Sequence, residues 1–528
     1  MKLSNLIKSI KPISINGIKN ICSDAFAGSN KFFEPDIEIN SIHYRAQDVK
    51  PDGLFVAVQG ISADGHDFID EAVARGAAAI ITQKPFKKES VIIEVKNSRK
   101  ALSLVSSQFF GNPSGKLFII GITGTNAKTT NTYLIESILL KAGFKVGVIG
   151  SINCRYCGMS FNNPMTTPES YDLQKILAEM LQAGITHVVM EVSSHAIDLF
   201  RIENCWLDVG LFTNFSQDHL DYHKDMDSYW SCKKRFFTDH LNCGPSRKQS
   251  KIIINCNNAK GKELLNSLLK NGQKNFILST GYTDENMVYL QKFKYSFSGT
   301  TGRISTPSGS FDFESSLVGK HNMENILCAA GAGIALNLST DIIKEGIKKV
   351  SSVPGRLEPV ANDTGRFIYV DYAHTPGALE TVLSSLRLLT TGRIICVFGC
   401  GGNRDRDKRP MMGEIAARLS DLSIITSDNP RTEDPIKIIG HILAGVKKIL
   451  SCEYTESELK TGFSKKGYIV EPERKSAILM GIAASQKGDA VLIAGKGHES
   501  YQIIGENSIP FDDRKEAKIA LSFENRKS

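Results

Sequence analysis

The 528-residue sequence lacks the features that mark membrane, secreted, repetitive and disordered proteins. No run approaches the roughly 18 uncharged apolar residues that a membrane-spanning helix needs. The opening stretch, MKLSNLIKSIKPISING, contains neither a sustained apolar core nor a small-residue cleavage site. Internal repeats and low-complexity tracts are absent too. We therefore expect a cytoplasmic globular protein with no membrane span.

Cysteine is present but follows no pattern. The 11 cysteines are scattered, and Cys154 and Cys157 form one C-x-x-C with no second pair at zinc-finger spacing. A disulfide framework or a structural zinc site would need a regular pattern. We expect free thiols in a reducing compartment.

A strong excess of one charge sign is also missing. Lys and Arg number 64 against 56 Asp and Glu, which leaves a net charge of +8. This excess is compatible with anionic small-molecule ligands, but it is too small and too dispersed to predict a nucleic-acid partner. A uniformly solvated basic surface is the simpler explanation.

The sequence does have the composition and length of a multidomain α/β protein. Hydrophobic residues make up 41% and charged residues 23%, and glycine (44) greatly exceeds proline (17). At roughly 100–200 residues per domain, the length predicts about three domains. Breaks in pattern near 109–116 and 351–360 predict domains of residues 1–114, 115–351 and 352–528.

Short apolar runs alternate with helical patterns in all three blocks, which is typical of parallel sheets covered by helices. The strands of the third block end in polar, Gly- or His-bearing residues. Because ligands bind outside the carboxyl ends of strands in open α/β sheets, these ends predict a binding rim. The predicted strands lie at 53–60, 77–82, 117–123, 145–150, 187–192, 209–214, 367–374, 394–402, 422–430 and 490–499.

The strongest local signal is a phosphate loop, GITGTNAKTT, at residues 121–130 between an apolar strand and a helical pattern. Such a turn aims backbone N–H groups and a helix N-terminus at phosphate oxygens. Lys128 would reach the β- and γ-phosphates, and the Thr129 hydroxyl would bind Mg²⁺. The strict G-x-x-x-x-G-K-[ST] spacing fails, so a Gly/Thr-rich turn with a solvated lysine is the alternative.

With this loop in view, the chain from about residue 40 onwards resembles the Mur ligase family of ATP-dependent amide-bond synthetases. The resemblance and the blocks together predict an α/β protein with a small N-terminal α/β domain, a central P-loop ATPase-like domain with a mostly parallel sheet, and a C-terminal Rossmann-like domain. The matching motifs, in order, are TTPES (166–170), EVSSHA (191–196), TNFSQDHLDYH (213–223), PGRLE (354–358), DYAHTP (371–376), GCGGNRD (399–405), DNPR (428–431) and GKGHE (495–499).

The resemblance implies a reaction and its substrates. A monomeric enzyme would activate the carboxylate of UDP-N-acetylmuramoyl-L-alanyl-D-glutamate as an acyl phosphate with ATP and Mg²⁺. The amine of meso-2,6-diaminopimelate would then attack, as a step in peptidoglycan precursor synthesis. Crowded phosphate and carboxylate charge calls for Mg²⁺ and for basic residues placed in advance.

The resemblance also implies roles for residues around the loop. Catalytic roles fall to Lys128, Glu191, His219 and Lys233. Thr129 would hold one Mg²⁺, Glu191 and His219 would bind a second beside it, and a carbamate on Lys233 would reach toward the metal. Without the resemblance, His219 would be a structural histidine and Lys233 part of a solvated helix face. The implied ATP-binding residues are Gly124, Thr125, Asn126, Ala127, Lys128, Thr129, Thr130, Asn322, Arg356 and His374.

One residue of the loop departs from the family pattern, which has glycine where this chain has Ala127. If the position needs a positive φ, alanine costs about 1 kcal/mol, whereas at a helical φ it costs nothing. We predict the helical φ and an active enzyme.

The nucleotide-sugar substrate is expected to contact the first two domains. The family's D-S-R element is replaced here by Arg45-Ala46-Gln47, which leaves the uridine contacts open. For the threonines of TTPES, a helix N-cap is an equally good explanation. The implied residues are Ala46, Ser62, Ala63, Thr166, Thr167, Ser193 and Arg201.

The added amino acid is expected to contact the third domain. Diaminopimelate differs from lysine by a distal carboxylate, which an arginine can bind with two hydrogen bonds. The implied residues are Arg404 and Arg431 for carboxylate and Glu499 for ammonium, together with Asp428, Asn429, Pro430 and Gly495. An Asn-Pro turn with an exposed arginine is the competing interpretation of D-N-P-R.

Several other functions remain as alternatives. The nearest are a ligase of the same kind that adds L-lysine and a ligase similar to folylpolyglutamate synthetase. More distant ones are a P-loop motor or regulatory NTPase, an oxidoreductase suggested by GCGG (399–402), and an inactive binding module. The intact residues Lys128, Glu191, His219 and Lys233 argue against the last of these.

Overall fold

The computed structural model describes residues 1–16, 18–19, 36–60, 63–86, 90–241, 249–270 and 276–524. Within these residues, three large sheets follow one another along the chain, and a two-stranded hairpin comes near the end. The α/β class and the succession of three α/β units are therefore confirmed. No helix of the described ranges is long and apolar enough to cross a membrane.

The first sheet has six strands in the order β2-β1-β6-β5-β4-β3. Strands β3 to β6 are parallel, and β1 runs antiparallel to β6. The strands predicted at 53–60 and 77–82 are confirmed as β4 and β5, and α2 lies between them. The elements are α1 Leu3–Ile7, β1 Pro12–Ile15, β2 Ile18–Lys19, β3 Ser41–His43, β4 Gly53–Val56, α2 Ile69–Ala74, β5 Ala77–Thr82, β6 Val91–Val95 and α3 Ser98–Phe109.

The central sheet has eleven strands in the order β10-β9-β8-β11-β7-β12-β13-β14-β15-β16-β17. The run from β8 to β15 is parallel, and an antiparallel hairpin extends each edge. Its strands are β7 Phe118–Thr123, β8 Val146–Ile149, β9 Cys154–Tyr156, β10 Met159–Phe161, β11 His187–Glu191, β12 Val209–Phe212, β13 Lys251–Asn255, β14 Phe276–Gly281, β15 Val288–Ser296, β16 Gly299–Thr306 and β17 Gly309–Ser315. Its helices are α4 Lys128–Lys141, α5 Ser170–Gln182, α6 Ser194–Asp198, α7 Met226–Arg235, α8 Ala259–Lys270, α9 Lys320–Ala335 and α10 Thr340–Lys349.

The third sheet has the order β18-β19-β23-β20-β21-β22 and is parallel except for β18. Its strands are β18 Glu358–Pro359, β19 Phe367–Asp371, β20 Ile394–Phe398, β21 Leu422–Ile425, β22 Gly467–Val470 and β23 Ala490–Ala494, followed by the hairpin β24 Tyr501–Ile504 and β25 Asn507–Pro510. Its helices are α11 Pro376–Leu389, α12 Lys408–Leu419, α13 Pro435–Val446, α14 Glu456–Thr461, α15 Arg474–Ala483 and α16 Asp513–Glu524.

The central strands are apolar along their whole length because helices cover both faces of the sheets. Every residue of β12, β20 and β23 is buried. Alternate side chains point to opposite faces, so the central sheet contributes to two separate hydrophobic clusters. The polar residues that follow the strands gather at the carboxyl edges, and the candidate site lies there.

Candidate functional site

The phosphate loop connects β7 to α4 and is held in place by the segment that follows β12. Thr125 N–H donates to the Asn214 carbonyl at 2.9 Å, and Asn126 N–H donates to the Asn214 side-chain oxygen at 2.9 Å. Gly124 has φ +146°, and a Cβ there would lie 1.9 Å from Thr213 Oγ1. Only glycine fits this close approach.

Ala127 contradicts its predicted conformation. Its φ is 71° and its ψ −1°, so it lies in the left-handed region immediately before α4, and the prediction of a helical φ was wrong. The chain needs this turn to swing from the loop into the helix. The Ala127 carbonyl then accepts hydrogen bonds from the Asn131 N–H and from Asn131 Nδ2, both at 3.0 Å. A Cβ in this region costs about 1–2 kcal/mol.

Two lysines meet at the loop. Lys128 Nζ donates to the carbonyls of Gly124 and Thr125, each at 2.9 Å, and Lys233 Nζ donates to the same Gly124 carbonyl at 3.0 Å. Lys233 is only 1% exposed, so the alternative that it lies on a solvated helix face is wrong. Burial lowers the pKa of both amines, and the charge of Lys128 lowers the pKa of Lys233 further.

Glu191 lies at the end of β11 and connects the loop to its surroundings. Its Oε1 accepts from Thr129 Oγ1 at 3.0 Å and from Ser151 N–H at 3.0 Å, while Oε2 accepts from Ser151 Oγ at 3.0 Å. Arg356, from the loop before the third sheet, donates to Thr129 Oγ1 at 3.2 Å. The buried carboxylate, the loop threonine and an arginine of the third unit therefore converge on one point.

His219 lies on the other side of the loop. Its backbone φ is +56°, and Nε2 lies 3.5 Å from Asp218 Oδ2. Burial lowers the pKa of His219 to about 3, so the ring is neutral at neutral pH and has a free lone pair. His219 and Lys233 both lie near Tyr229, with the His219 ring 6.0 Å and Lys233 Nζ 4.8 Å from the centre of the tyrosine ring.

In the described part of the chain, no group of three or more His, Cys, Asp or Glu side chains is arranged to hold a metal ion. The predicted set is of a different kind, because it combines the Thr129 hydroxyl, Glu191, His219 and a carbamate on Lys233. Two observations fit that set. Thr129 directly contacts Glu191, and burial together with the charge of Lys128 lowers the pKa of the Lys233 amine.

The residues predicted to contact the nucleotide-sugar substrate lie beside Glu191. Thr167 Oγ1 donates to the Glu191 carbonyl at 2.8 Å and accepts from Ser193 N–H at 3.0 Å. Arg201 donates to the Thr167 carbonyl at 3.1 Å, and Thr166 Oγ1 lies 3.0 Å from Ser151 Oγ. The N-cap of α5 is Glu169, so the alternative that the threonines cap this helix was wrong.

The first unit adds a cavity of about 710 Å³ at its junction with the central sheet. Arg45 and Tyr44 line it from the first unit, and Tyr44 Oη donates to Asp172 at 2.6 Å across the junction. Ala46, a predicted contact residue, is 3% exposed and packs in the core. The Ala63 carbonyl accepts from Gly60 N–H at 2.9 Å, and Ser62 lies outside the described residues.

The remaining predicted ATP residues lie around the same loop. Asn131 of α4 donates to Asn325 at 3.3 Å, and Asn325 donates to Asn322 at 2.8 Å, so a chain of amides leads from the loop to Asn322. Thr130 is buried in the first turn of α4. His374 Nδ1 donates to the Tyr372 carbonyl at 2.7 Å, which leaves Nε2 as an acceptor.

In the third unit, Asp428, Glu499 and Lys496 gather near Arg404 and Arg431, and we call this group of residues the amino-acid pocket. Lys496 is 0% exposed, and its Nζ donates to Asn429 Oδ1 at 2.9 Å and to Glu499 Oε2 at 3.1 Å. Asp428 Oδ1 lies 3.7 Å from the same Nζ and accepts no hydrogen bond. Gly495 has φ +118°, and a Cβ there would lie 3.0 Å from Asp428 Oδ2.

The pocket also has a basic side, formed by Arg404 and Arg431. Within the described residues neither guanidinium forms an ion pair; Arg431 donates to the Gly402 carbonyl at 2.8 Å and Arg404 to the Asn403 carbonyl at 3.3 Å. Burial lowers the pKa of Arg431, and the charge of Arg404 lowers it further. The backbone of Pro430 packs closely against the loop after β20, where a Cβ on Gly402 would lie 1.8 Å from the Pro430 carbonyl oxygen.

Sequence reasoning missed Ser151 and Lys496. Ser151 follows β8 directly, and the position after a parallel strand was the available signal for it. Lys496 lies inside the GKGHE motif, but a lysine there is indistinguishable from a solvated one until its burial is known. Both form hydrogen bonds with predicted site residues, Ser151 with Glu191 and Lys496 with Asn429 and Glu499.

The fold and the site define a class of protein. A phosphate loop on a parallel sheet lies next to an arginine of a second α/β unit, and that unit carries a pocket with separate acidic and basic sides. These are the parts of an enzyme that couples a nucleoside triphosphate to a reaction of a small zwitterionic molecule.

Comparison with known proteins identifies the family. The model of the Mur ligase family catalytic domain matches residues 38–110, the Mur ligase middle domain matches 122–333, and the Mur ligase glutamate ligase domain matches 355–497. A protein of Geobacter metallireducens named UDP-N-acetylmuramoyl-L-alanyl-D-glutamate–2,6-diaminopimelate ligase is 45% identical over 92% of this chain and 94% of its own length. A Geobacter sulfurreducens protein of the same name is 42% identical over 99% of each chain.

A solved structure bearing that enzyme name superposes with a TM-score of 0.65 at 29% identity, over 92% of this chain and 95% of the other. The chain belongs to the Mur ligase family.

Proposed function

We propose that this chain adds meso-2,6-diaminopimelate to UDP-N-acetylmuramoyl-L-alanyl-D-glutamate, with ATP as co-substrate, as a step in peptidoglycan precursor synthesis. The observation that carries the proposal is the pair of guanidiniums, Arg404 and Arg431, opposite the carboxylates of Asp428 and Glu499. Two cations that pair with no carboxylate among the described residues suit an amino acid with a carboxylate beyond its ammonium group. The names of the Geobacter relatives support the same substrates.

We propose a division of labour among residues 1–114, 115–351 and 352–528. The first unit would hold the uridine end beside the 710 Å³ cavity, and Thr166, Thr167, Ser193 and Arg201 would lead the sugar and peptide to the phosphate loop. The third unit would supply the amino acid. Because ATP and UDP-linked sugars are cytoplasmic compounds, we place the reaction in the cytoplasm; the monomeric state stays a prediction.

In the proposed mechanism, the substrate carboxylate attacks the γ-phosphate of ATP to give an acyl phosphate and ADP. The backbone N–H groups of the loop, Lys128 and Arg356 would stabilise the charge on the transferred phosphoryl group. The amine of diaminopimelate would then attack the acyl carbon, and phosphate would leave as the amide forms. Closure of the third unit over the loop would exclude water that hydrolyses the intermediate.

Mg²⁺ fits the residues around the loop. Thr129 would hold one ion, Glu191 and His219 would hold a second beside it, and a carbamate on Lys233 would add an anionic group to the metal site. The ions would supply neutralisation of phosphate charge. A carbamate forms when an uncharged amine adds carbon dioxide and releases a proton, and the depressed pKa of Lys233 favours the uncharged amine. It would also convert one of two adjacent cations into an anion.

The test measures phosphate release from ATP and Mg²⁺ with the UDP-linked dipeptide and either meso-diaminopimelate or L-lysine. We expect release with diaminopimelate only, and no release after chelation of Mg²⁺. Arg431→Met should lower kcat/KM for diaminopimelate about 100-fold, since a charge-assisted pair contributes about 2–3 kcal/mol. The control is Arg418→Met, at an arginine whose side chain is 53% exposed on the far end of α12.

Release with lysine alone would refute the choice of amino acid. Release with neither amino acid would refute the proposed reaction. If Arg431→Met leaves kcat/KM for diaminopimelate unchanged, the proposed role of the pocket is wrong.

A further inference from the structure

We propose that Arg409 and Glu433, which lie behind the amino-acid pocket and outside it, are positioning residues that set the distance between Arg404 and Arg431. The proposal rests on the proposed function of that pocket. Arg409 is 0% exposed in the first turn of α12, and Glu433 follows the D-N-P-R motif. Sequence analysis assigned neither residue a role.

The two side chains form a two-pronged ion pair inside the protein. Arg409 NH1 and NH2 donate to Glu433 Oε2 and Oε1 at 3.1 and 3.0 Å. NH2 also donates to the Gly401 carbonyl at 3.2 Å, and NH1 lies 3.1 Å from His441 Nδ1. The pair therefore joins α12 and α13 to the loop after β20.

Glu433 in turn connects the two loops that carry the pocket arginines. Its Oε1 accepts from Asn403 N–H at 2.5 Å, although Glu433 itself belongs to the loop after β21. Asn403 Oδ1 accepts from the Thr432 N–H at 3.3 Å and from Thr432 Oγ1 at 3.0 Å. The hydrogen bond from Arg409 lowers the pKa of Glu433 to about 2, so the carboxylate is ionised wherever the enzyme is folded and active.

The loops need this connection for two physical reasons. Asn403 and Arg431 both have a left-handed backbone, with φ +53° and +52°, a conformation that persists in non-glycine residues only where the surroundings hold it. The guanidiniums of Arg404 and Arg431 also repel each other, as the lowered pKa of Arg431 reflects. Without the buried pair, the loops would relax and the arginines would separate.

The test compares Arg409→Met, Glu433→Gln and the double variant in steady-state kinetics. We expect KM for meso-diaminopimelate to rise about tenfold or more, with kcat at saturation within about threefold of wild type, because pre-set binding geometry is lost and not chemistry. KM for ATP and for the UDP-linked dipeptide should stay within about twofold. Gly402→Ala, which forces the same loops apart at the Pro430 carbonyl, should give the same pattern.

The matched control is Arg393→Met. Arg393 pairs with Asp489 at 2.6 Å at the amino end of the third sheet, opposite the pocket. It should lower the thermal unfolding midpoint as Arg409→Met does but leave KM for diaminopimelate unchanged. An equal rise in all three KM values, or an unchanged KM for diaminopimelate, would overturn the positioning role. If the proposed function is itself wrong, the wild-type enzyme already fails to release phosphate with diaminopimelate.

Discussion

At the scale of single residues, the phosphate loop stores conformational strain at one position. Gly124 takes φ +146°, where glycine is at ease, but Ala127 takes φ +71° with a Cβ. The hydrogen bonds that Asn131 donates to its carbonyl hold the turn. The strain therefore persists because the loop and α4 require this geometry.

Ala127→Gly should stabilise the central unit. Relief of the left-handed alanine gains about 1–2 kcal/mol, and the greater freedom of glycine in the unfolded chain returns about 0.4–1 kcal/mol. The thermal unfolding midpoint, followed by calorimetry, should rise by about 1–3 °C, given about 2–4 °C per kcal/mol for a unit of this size. The rate of phosphate release should stay within about threefold of wild type, since the loop geometry already exists.

The control for this variant is Ala142→Gly, at the end of the same helix. Ala142 has φ −73°, so glycine there relieves nothing and should lower the midpoint. A fall of the midpoint in both variants would contradict the left-handed conformation of Ala127. A large gain in rate for Ala127→Gly would mean that alanine impairs catalysis in the natural chain.

At the scale of elements, a short loop before the third sheet connects the third unit to the phosphate loop. Gly355 has φ +65°, and a Cβ there would lie 2.1 Å from the backbone nitrogen of His498. Its neighbour Arg356 donates to Thr129 and lies 4.6 Å from the centre of the Tyr372 ring. The close contact of this loop with the segment 495–499 therefore places the arginine at the phosphate loop.

Gly355→Ala should lower kcat at least tenfold. The added methyl group collides with the backbone of His498, so the loop must move and Arg356 loses its contact with Thr129; such misplacement by about 1 Å can cost about 100-fold. Single-turnover phosphate release measures the effect. Gly111→Ala is the control, because Gly111 has φ +74° and open space around its Cβ position. Equal losses in the two variants would show that strain alone, and not the docking of the loop, is responsible.

At the scale of the whole molecule, polar contacts join the three units. Between the first and central units, Tyr44 contacts Asp172 and Arg99 contacts Glu169. Between the third and central units, Arg356 contacts Thr129. Arg99 NH1 lies 2.9 Å from Glu169 Oε2, and Arg201 Nε lies 3.4 Å from the same oxygen. Glu169 is therefore shared between the joint and a predicted substrate arginine.

Arg99→Met should raise KM for the UDP-linked dipeptide about fivefold and leave KM for diaminopimelate unchanged. Without Arg99, Glu169 pairs more closely with Arg201 and competes with the substrate for that guanidinium. Initial rates with each substrate varied in turn measure the effect. Lys100→Met is the control, since Lys100 is 50% exposed and pairs with Glu203 on the neighbouring surface. A rise in KM for diaminopimelate as well would contradict the assignment of separate substrates to separate units.

Much of the fold was predictable because the buried strands appear in the sequence as short apolar runs. The predicted apolar runs at 117–123, 187–192 and 490–499 all contain strands, since both faces of a parallel sheet are covered. The antiparallel hairpins at the edges of the central sheet were not predicted. Their faces are partly exposed and their strands mix polar and apolar residues, so no apolar run marks them.

The candidate site was predictable only in part. Loop residues such as Lys128 and Thr129 follow from a motif, because a phosphate turn needs its residues in one continuous segment. Lys496, Arg409 and Glu433 gave no such signal. Their importance comes from burial and from partners that lie far away in the chain, and neither can be read from residue type.

The sequence by itself determined the α/β class, the phosphate loop, the family motifs and the kinds of charge available to a substrate. Spacing along one strand and its following turn is a local property, so local patterns carry it. Only the tertiary structure decided that Ala127 is left-handed and that Lys233 is buried. It also decided that no carboxylate in the described part of the chain pairs with Arg404 or Arg431. These facts depend on which distant segments meet, and chain folding settles that through packing and desolvation.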